Sequence, residues 1–117
     1  MAMTTPNLDG ASALFRSLGD TNRLAILRHL ASGEARVTDL VATLGLAQST
    51  ISAHLACLRE CHLVAFRPQG RQSFYFLAQP DLLGLLRAAE VLLAATGDAV
   101  ELCPRYGHAT QRDTATV

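Results

Sequence analysis

Apolar residues recur every three or four positions through the first half of the chain, which is the period of an amphipathic helix. The first such stretch covers residues 8–18 and is stopped by Gly19. A second stretch begins after Asp20, a residue type that caps helix N-termini well, and Gly33 closes it. The pattern predicts two consecutive helices joined by a tight turn.

Two further helices and a change of period follow. Thr38 is expected to cap a helix over residues 39–44, which Gly45 ends, and residues 48–62 are expected to form the next helix. Beyond them, residues 63–67 and 72–77 are β-prone runs on either side of a Pro-Gln-Gly-Arg turn, which is typical of a hairpin. This order of elements is that of a winged helix-turn-helix, so we predict a mainly α fold with a β-hairpin.

The last predicted helix runs from Pro80 to about Thr96 and is apolar on more than one face. One face carries Leu82, Leu85, Leu86, Ala89 and Leu93, while Leu83 and Val91 lie elsewhere on the helix. A helix with more than one apolar stripe needs a second surface to pack against. Deep burial in the core and pairing with a second subunit would both supply it, and we expect a homodimer through the terminal helices.

The chain of 117 residues is long enough for one ordinary domain. We expect a flexible leader at residues 1–7, a winged-helix DNA-binding and dimerisation domain at 8–97, and an irregular tail at 98–117. No run of about 18 apolar residues is present, so no membrane span is expected. The N-terminus has neither the basic nor the apolar region of a secretory signal, so we expect a cytoplasmic protein.

The charge is balanced over the whole chain but not along it. Ten arginines balance ten acidic residues, and there is no lysine. Residues 1–80 carry seven arginines and five acids, whereas residues 81–117 carry three arginines and five acids. A zero total weakens an interpretation as a nucleic-acid binder, because phosphate neutralisation supplies much of that affinity. A dimer can nevertheless present a local basic face.

Three cysteines are the candidate metal ligands. At about 3.6 residues per turn, the core side of the fourth helix carries Ile51, Leu55, Leu58 and His62. Cys57 and Cys61 fall on one stripe between this core side and the small polar face of the helix. Soft metals prefer at least three thiolates, and Cys103 in the tail is the third thiol. Three alternatives stay open: cysteines buried as small hydrophobes, a thiol redox sensor, and a small enzyme with Cys57 as nucleophile. The enzyme interpretation is the weakest of the three, because no His–carboxylate pair is convincingly spaced to activate Cys57.

The candidate DNA contacts lie on the fourth helix and at the hairpin tip. Short polar groups near the start of the helix can reach base edges or phosphates; they are Gln48, Ser49, Thr50 and Ser52, with His54 following. His54 can equally serve in helix packing or as an auxiliary metal ligand. Arg71 is the candidate wing contact to phosphate or minor groove, the alternative being a solvated turn residue.

Three motifs closely resemble the ArsR–SmtB family. They are LGDTNRLAIL at residues 18–27, STISAHL at 49–55, and the Gly-Arg pair at 70–71, and the resemblance covers roughly residues 11–96. Members of this family are dimeric winged-helix repressors that leave DNA when a metal binds. The segment LACLREC at residues 55–61, together with a lone cysteine in the tail, is most similar to the cadmium- and lead-sensing branch.

The resemblance implies a repressor of a palindromic operator that is released by Cd(II) or Pb(II), with Zn(II) and As(III) as further candidates. It also implies that Cys103 reaches the fourth helix of the other subunit. Zn(II) would take a fourth ligand from water, His54 or His108. Two other sensor sites of the family have no counterpart, since residues 34–40 contain no Cys-x-Cys and no His lies between Asp81 and Gly97.

Overall fold

The computed structural model describes residues 6–102, which form five helices and one β-hairpin. The elements are α1 (Asp9–Leu18), α2 (Thr21–Leu30), α3 (Val37–Leu44), α4 (Gln48–Glu60), β1 (Val64–Gln69), β2 (Gln72–Leu77) and α5 (Asp81–Ala95). The predicted order of helices and hairpin is confirmed.

Helix boundaries follow from local capping. The Asp20 carboxylate accepts hydrogen bonds from the backbone N–H groups of Asn22 and Arg23, at 2.9 and 3.0 Å, and so caps α2 as predicted. The prediction that Thr38 caps α3 is wrong, because the helix already begins at Val37 with Arg36 as its N-cap residue. The reason is that the Asp39 carboxylate accepts from the Arg36 backbone N–H at 2.9 Å.

The hydrophobic core is formed by one side of each helix and the start of β1. Its fully buried members are Ile26, Leu27, Leu40, Ile51, Leu55 and Leu58. The three α4 residues among them confirm the predicted core side of that helix. His62, placed on the same side by periodicity, is instead exposed with φ at 62°, because α4 ends at Glu60 and the chain turns there.

The hairpin forms a wing that contacts the connection between α2 and α3 near its middle. β1 and β2 pair antiparallel from Val64–Leu77 to Gln69–Gln72. Midway along the hairpin, Tyr75 exchanges two backbone hydrogen bonds with Ala35, at 3.0 and 2.8 Å. Arg67 forms a bidentate ion pair with Glu34 and lies 4.9 Å from the Phe74 ring centroid, so the wing is also joined by side chains to the connection between α2 and α3.

The two terminal helices keep apolar surface outside the core. On α5, Leu82 and Leu86 are buried, whereas Val91 and Leu92 are 70% and 65% exposed. On α1, Phe15 is 60% exposed. Helices of the described chain therefore present large apolar side chains to solvent, as the two-stripe pattern of the last helix predicted.

Within residues 6–102, no single helix is long and apolar enough to cross a membrane. α3 and α4 together would suffice by length and composition only, and they are bent by 118° relative to each other.

Candidate metal centre and nucleic-acid interface

The candidate DNA-reading surface is built by α3, the short turn after it and α4. Gly45 adopts the left-handed conformation with φ at 70°, which ends α3 and turns the chain sharply. The two helices then lie at 118° to each other, in the range of helix-turn-helix motifs. Burial of Ile51, Leu55 and Leu58 leaves the opposite face of α4 open to solvent.

That open face carries three of the six predicted DNA contacts. Gln48, Ser49 and Ser52 are all exposed, while Thr50 is half-buried beside them. Ala53 and Ala56 are exposed too, and their small side chains let another surface approach the helix closely. The structure therefore brings three of the predicted helix residues together on one accessible face.

His54 lies apart from this face. Its side chain is half-buried against the start of α2, with Nδ1 3.5 Å from an Arg23 guanidinium nitrogen and Nε2 4.0 Å from Asp20 Oδ1. The Arg23 backbone N–H and the nearby His54 both help to hold the pKa of Asp20 below its usual value. Of the three roles predicted for His54, helix packing is the one with contacts in the described residues.

Two further candidates are exposed arginines, one on the wing and one on α4. Arg71 is exposed in the two-residue turn of the wing, where Gly70 has φ at 63°. Arg59, which the sequence reasoning missed, lies two turns beyond Ser52 on the same side of α4, with its guanidinium carbon 4.7 Å from the Phe66 ring centroid. An open groove of about 540 Å³ runs along Arg59 between α4 and β1. The sequence did carry a signal for Arg59, because it follows Ser52 by two helical turns and so falls on the same side of α4.

The two described thiols lie at the C-terminal end of α4, before and after Arg59 in sequence. Cys57 and Cys61 are free and half-buried, one turn apart, with Cys61 as the C-cap residue of the helix. Cys61 Sγ is 3.0 Å from Ser17 Oγ, and Ser17 is a buried residue of α1. Sequence reasoning missed Ser17. The only sign of its burial was that it lies three residues after Leu14, at a position where the apolar spacing of α1 points to the core.

Two thiolates one helical turn apart fit one edge of a soft-metal site. Within residues 6–102 no group of three or more His, Cys, Asp or Glu side chains is arranged to hold a metal ion. A complete site with three soft ligands therefore needs a donor from elsewhere. The predicted third ligand, Cys103, and the auxiliary candidate His108 lie outside the described residues.

Comparisons with known proteins agree on one class. The family model described as "Bacterial regulatory protein, arsR family" matches residues 20–65. A probable mercury resistance operon repressor from Streptomyces lividans is 32% identical over 105 residues, which are 89% of this chain and 84% of that protein. The HTH-type transcriptional regulator CmtR from Mycobacterium tuberculosis is 39% identical over 102 residues, with 76% of this chain and 86% of that protein covered.

A solved structure supports the same class. The homodimeric winged helix-turn-helix DNA-binding domain Mb0332 from Mycobacterium bovis superimposes with a TM-score of 0.71 at 30% identity, covering 80% of this chain and 91% of that one. The predicted winged helix-turn-helix fold is thereby confirmed. These relatives are regulators and a DNA-binding domain, so the small-enzyme alternative is set aside.

Proposed function

Because the chain belongs to the ArsR family of bacterial transcriptional regulators, we propose that it is a metal-responsive repressor. In the metal-free state it binds operator DNA, and it leaves the operator when a soft heavy-metal ion binds cysteine thiolates. The observation that carries the metal-sensing part is the pair of half-buried free thiols, Cys57 and Cys61, one turn apart at the end of the helix whose open face reads DNA.

The DNA-binding surface of this proposal combines the open face of α4 with the wing. Gln48, Ser49 and Ser52 supply short polar groups for base edges and phosphates, and Thr50 and His54 are the flanking candidates. Arg71 and Arg59 contact phosphates on either side. In a homodimer such as the Mb0332 domain, two copies of α4 would meet a palindromic operator with half-sites about one helical turn apart.

The metal site of this proposal takes two ligands from one subunit and one from the other. Cys57 and Cys61 provide two thiolates, and Cys103 in the tail, residues 98–117, of the partner subunit provides the third. Three negative thiolates suit large polarisable ions such as Cd(II) and Pb(II), and also As(III). Zn(II) would need a fourth ligand from water, His54 or His108. The proposed place of action is the cytoplasm.

Release from DNA requires that the ion bind the DNA-free conformation more tightly than the operator-bound one. The thiol pair lies on the same helix as the DNA-reading face, so pinning it to a second subunit restrains the orientation of both α4 helices. A metal that bound both conformations equally would leave the affinity for DNA unchanged.

The test is a titration of the full-length dimer with Cd(II), Pb(II), Zn(II) and As(III), followed by ultraviolet thiolate-to-metal absorption and by operator binding. Cys57→Ser, Cys61→Ser and Cys103→Ser should each keep metal-free DNA binding and lose most of the metal-induced release. Mixing the double variant Cys57→Ser/Cys61→Ser with Cys103→Ser should restore one site per heterodimer. A Cys103→Ser protein that responds like the wild type would contradict the cross-subunit site.

The second candidate function is a thiol redox sensor on the same scaffold, favoured by the same two free thiols. Oxidant would then cause release from DNA together with a mass shift of the protein, and metal ions would not. The two functions are separated by running both titrations on the wild type and on Cys57→Ser.

A further inference from the structure

A continuous polar network connects the proposed metal-ligating thiol to α1. Cys61 Sγ is 3.0 Å from Ser17 Oγ, and the Ser17 backbone carbonyl accepts a hydrogen bond from Arg23 Nε at 2.8 Å. Arg23 is in turn 3.5 Å from His54 on α4. Ser17 thus contacts the end of α4 with its side chain and the start of α2 with its backbone.

Because Ser17 is buried, its hydroxyl relies on the Cys61 thiol as a hydrogen-bond partner. Ser17 is only 4% exposed, so water does not compete for its side chain as it would at the surface. A thiol can donate or accept, but a metal-bound thiolate only accepts. In the metal-bound state the Ser17 hydroxyl must therefore be the donor, and its hydrogen bond to sulfur becomes charge-assisted and stronger.

We infer that Ser17 is a positioning residue for metal binding: its Oγ–H donates to Cys61 Sγ, orients that sulfur and stabilises it as a thiolate ligand. This inference rests on the proposed metal-sensing function. Groups that hydrogen-bond to a metal ligand fix its orientation, and losing one typically lowers metal affinity by about 10- to 100-fold.

The experiment compares Ser17→Thr with Ser17→Val in the full-length dimer. The two side chains have nearly the same shape, and only Thr keeps a hydroxyl, so any packing defect is shared. We expect Ser17→Val to bind Cd(II) about tenfold or more weakly than Ser17→Thr, measured by competition with a chelator. Its thiolate-to-cadmium absorption should also move to longer wavelength, because the sulfur lone pair loses a hydrogen bond.

Ser12→Ala is the matched control, since Ser12 is an exposed serine of the same helix and its hydroxyl accepts only from the Arg16 side chain among the described contacts. It should bind Cd(II) like the wild type. If the wild type binds Cd(II) but Ser17→Thr and Ser17→Val have equal affinities and equal spectra, the role of Ser17 is overturned and the metal-sensing function is not. A wild type without thiolate-to-cadmium absorption would overturn the metal-sensing function as well.

Discussion

Single side chains hold the helix junctions of this protein together, and Arg23 is the clearest case. Its guanidinium donates to the backbone carbonyls of Ser17 at 2.8 Å and Arg16 at 3.2 Å, at the end of α1. The Arg16 carbonyl also accepts from the Gly19 backbone N–H at 3.2 Å. The planar fork of arginine can serve two acceptors and a third neighbour, His54, at once, whereas a lysine ammonium is a single point charge. Arg23 therefore fixes the angle between α1 and α2.

Asp39 makes stability depend on pH in the acid range. The hydrogen bonds from the Arg36 side chain, together with the Arg36 backbone N–H, lower the pKa of Asp39 to about 2. A carboxyl whose folded pKa is depressed stabilises the folded state above its unfolded pKa of about 3.9 and loses that effect as pH falls to the folded value. At pH 7 the wild type should therefore unfold at a higher midpoint urea concentration than Asp39→Asn.

That difference in midpoint should shrink as pH falls from about 4 to about 2. In an Arg36→Gln background the same Asp39→Asn change should show a smaller pH dependence, because the guanidinium that lowers the pKa most is gone and only the backbone N–H at position 36 remains. A difference that stayed constant over this acid range would contradict the assignment.

Arg71 is expected to contact DNA from the tip of the wing. Replacing it by Ala should weaken operator binding and reduce the slope of log affinity against log salt by about 1, because one phosphate contact releases about one counterion. Fluorescence anisotropy over a salt series measures both effects. Arg28→Ala, which removes an exposed arginine from α2, should leave the slope unchanged. An unchanged slope in Arg71→Ala would remove the wing from the interface.

At the scale of elements, the two ends of helix α4 are capped differently. Its N-cap residue Ala47 has extended backbone angles and no side-chain oxygen, so it cannot accept from the free N–H groups of the first turn. Its C-cap residue is Cys61, whose N–H bonds back to the Cys57 carbonyl. The helix is consequently less well secured at its N-terminal end, where Gln48 and Ser49 are proposed to contact DNA, than at its C-terminal end.

Ala47→Ser should supply the missing cap. The extended conformation at this position, with φ −64° and ψ 149°, already suits a capping serine, so the free energy of unfolding should rise by about 1 kcal/mol. Urea denaturation measures the gain. Ala53→Ser, an exposed interior position of the same helix, should instead be neutral or slightly destabilising, because serine is a poorer helix former than alanine. A gain at Ala53 equal to that at Ala47 would argue against capping.

The helices were predictable from sequence because each boundary depended on nearby residues. Asp20 and Gly45 marked the start of α2 and the end of α3 correctly, since a carboxylate cap and a left-handed glycine act locally. The start of α3 was misplaced because the decisive carboxylate lies inside the helix, at Asp39. His62 was misplaced because a non-glycine residue in the left-handed region leaves no clear mark in the sequence.

The same distinction applies to the candidate site. The stripe shared by Cys57 and Cys61 follows from the helical period, and so does the open face at Ser49 and Ser52. The contact between Ser17 and Cys61 joins residues far apart in the sequence, and it depends on how α1 packs against the end of α4. Local patterns therefore indicated the proposed ligands but not the residue that positions one of them.

At the scale of the whole molecule, the apolar side chains left outside the core call for a second subunit. Phe15 on α1 and Leu92 on α5 are 60% and 65% exposed, which is unusual for residues of their size on helices of a small domain. Covering both terminal helices by a second copy would remove this surface from water. The tail residue Leu102 packs against the core, and its N–H bonds to the buried Glu90 carboxylate, so the described chain ends on α5.

Phe15→Glu should dissociate the dimer. Placing a carboxylate in an apolar interface without a partner should raise the dimer dissociation constant tenfold or more, which corresponds to roughly 1.4 kcal/mol or more. Sedimentation equilibrium with and without Cd(II) measures the change. Arg28→Glu adds a carboxylate to an exposed position on α2 and should remain dimeric. A wild-type protein that is monomeric at micromolar concentration would contradict the dimer itself.

The pairing of Ala35 with Tyr75 has a consequence for amide hydrogen exchange. Those two backbone hydrogen bonds tie the middle of β2 to the connection between α2 and α3, so exchange of the Tyr75 amide requires the wing to separate from the helical core. The turn at Gly70 and Arg71 closes a ladder of only two strands, and its amides should exchange much faster. The wing thus belongs to two cooperative units: its base unfolds together with the core, and only its tip opens alone.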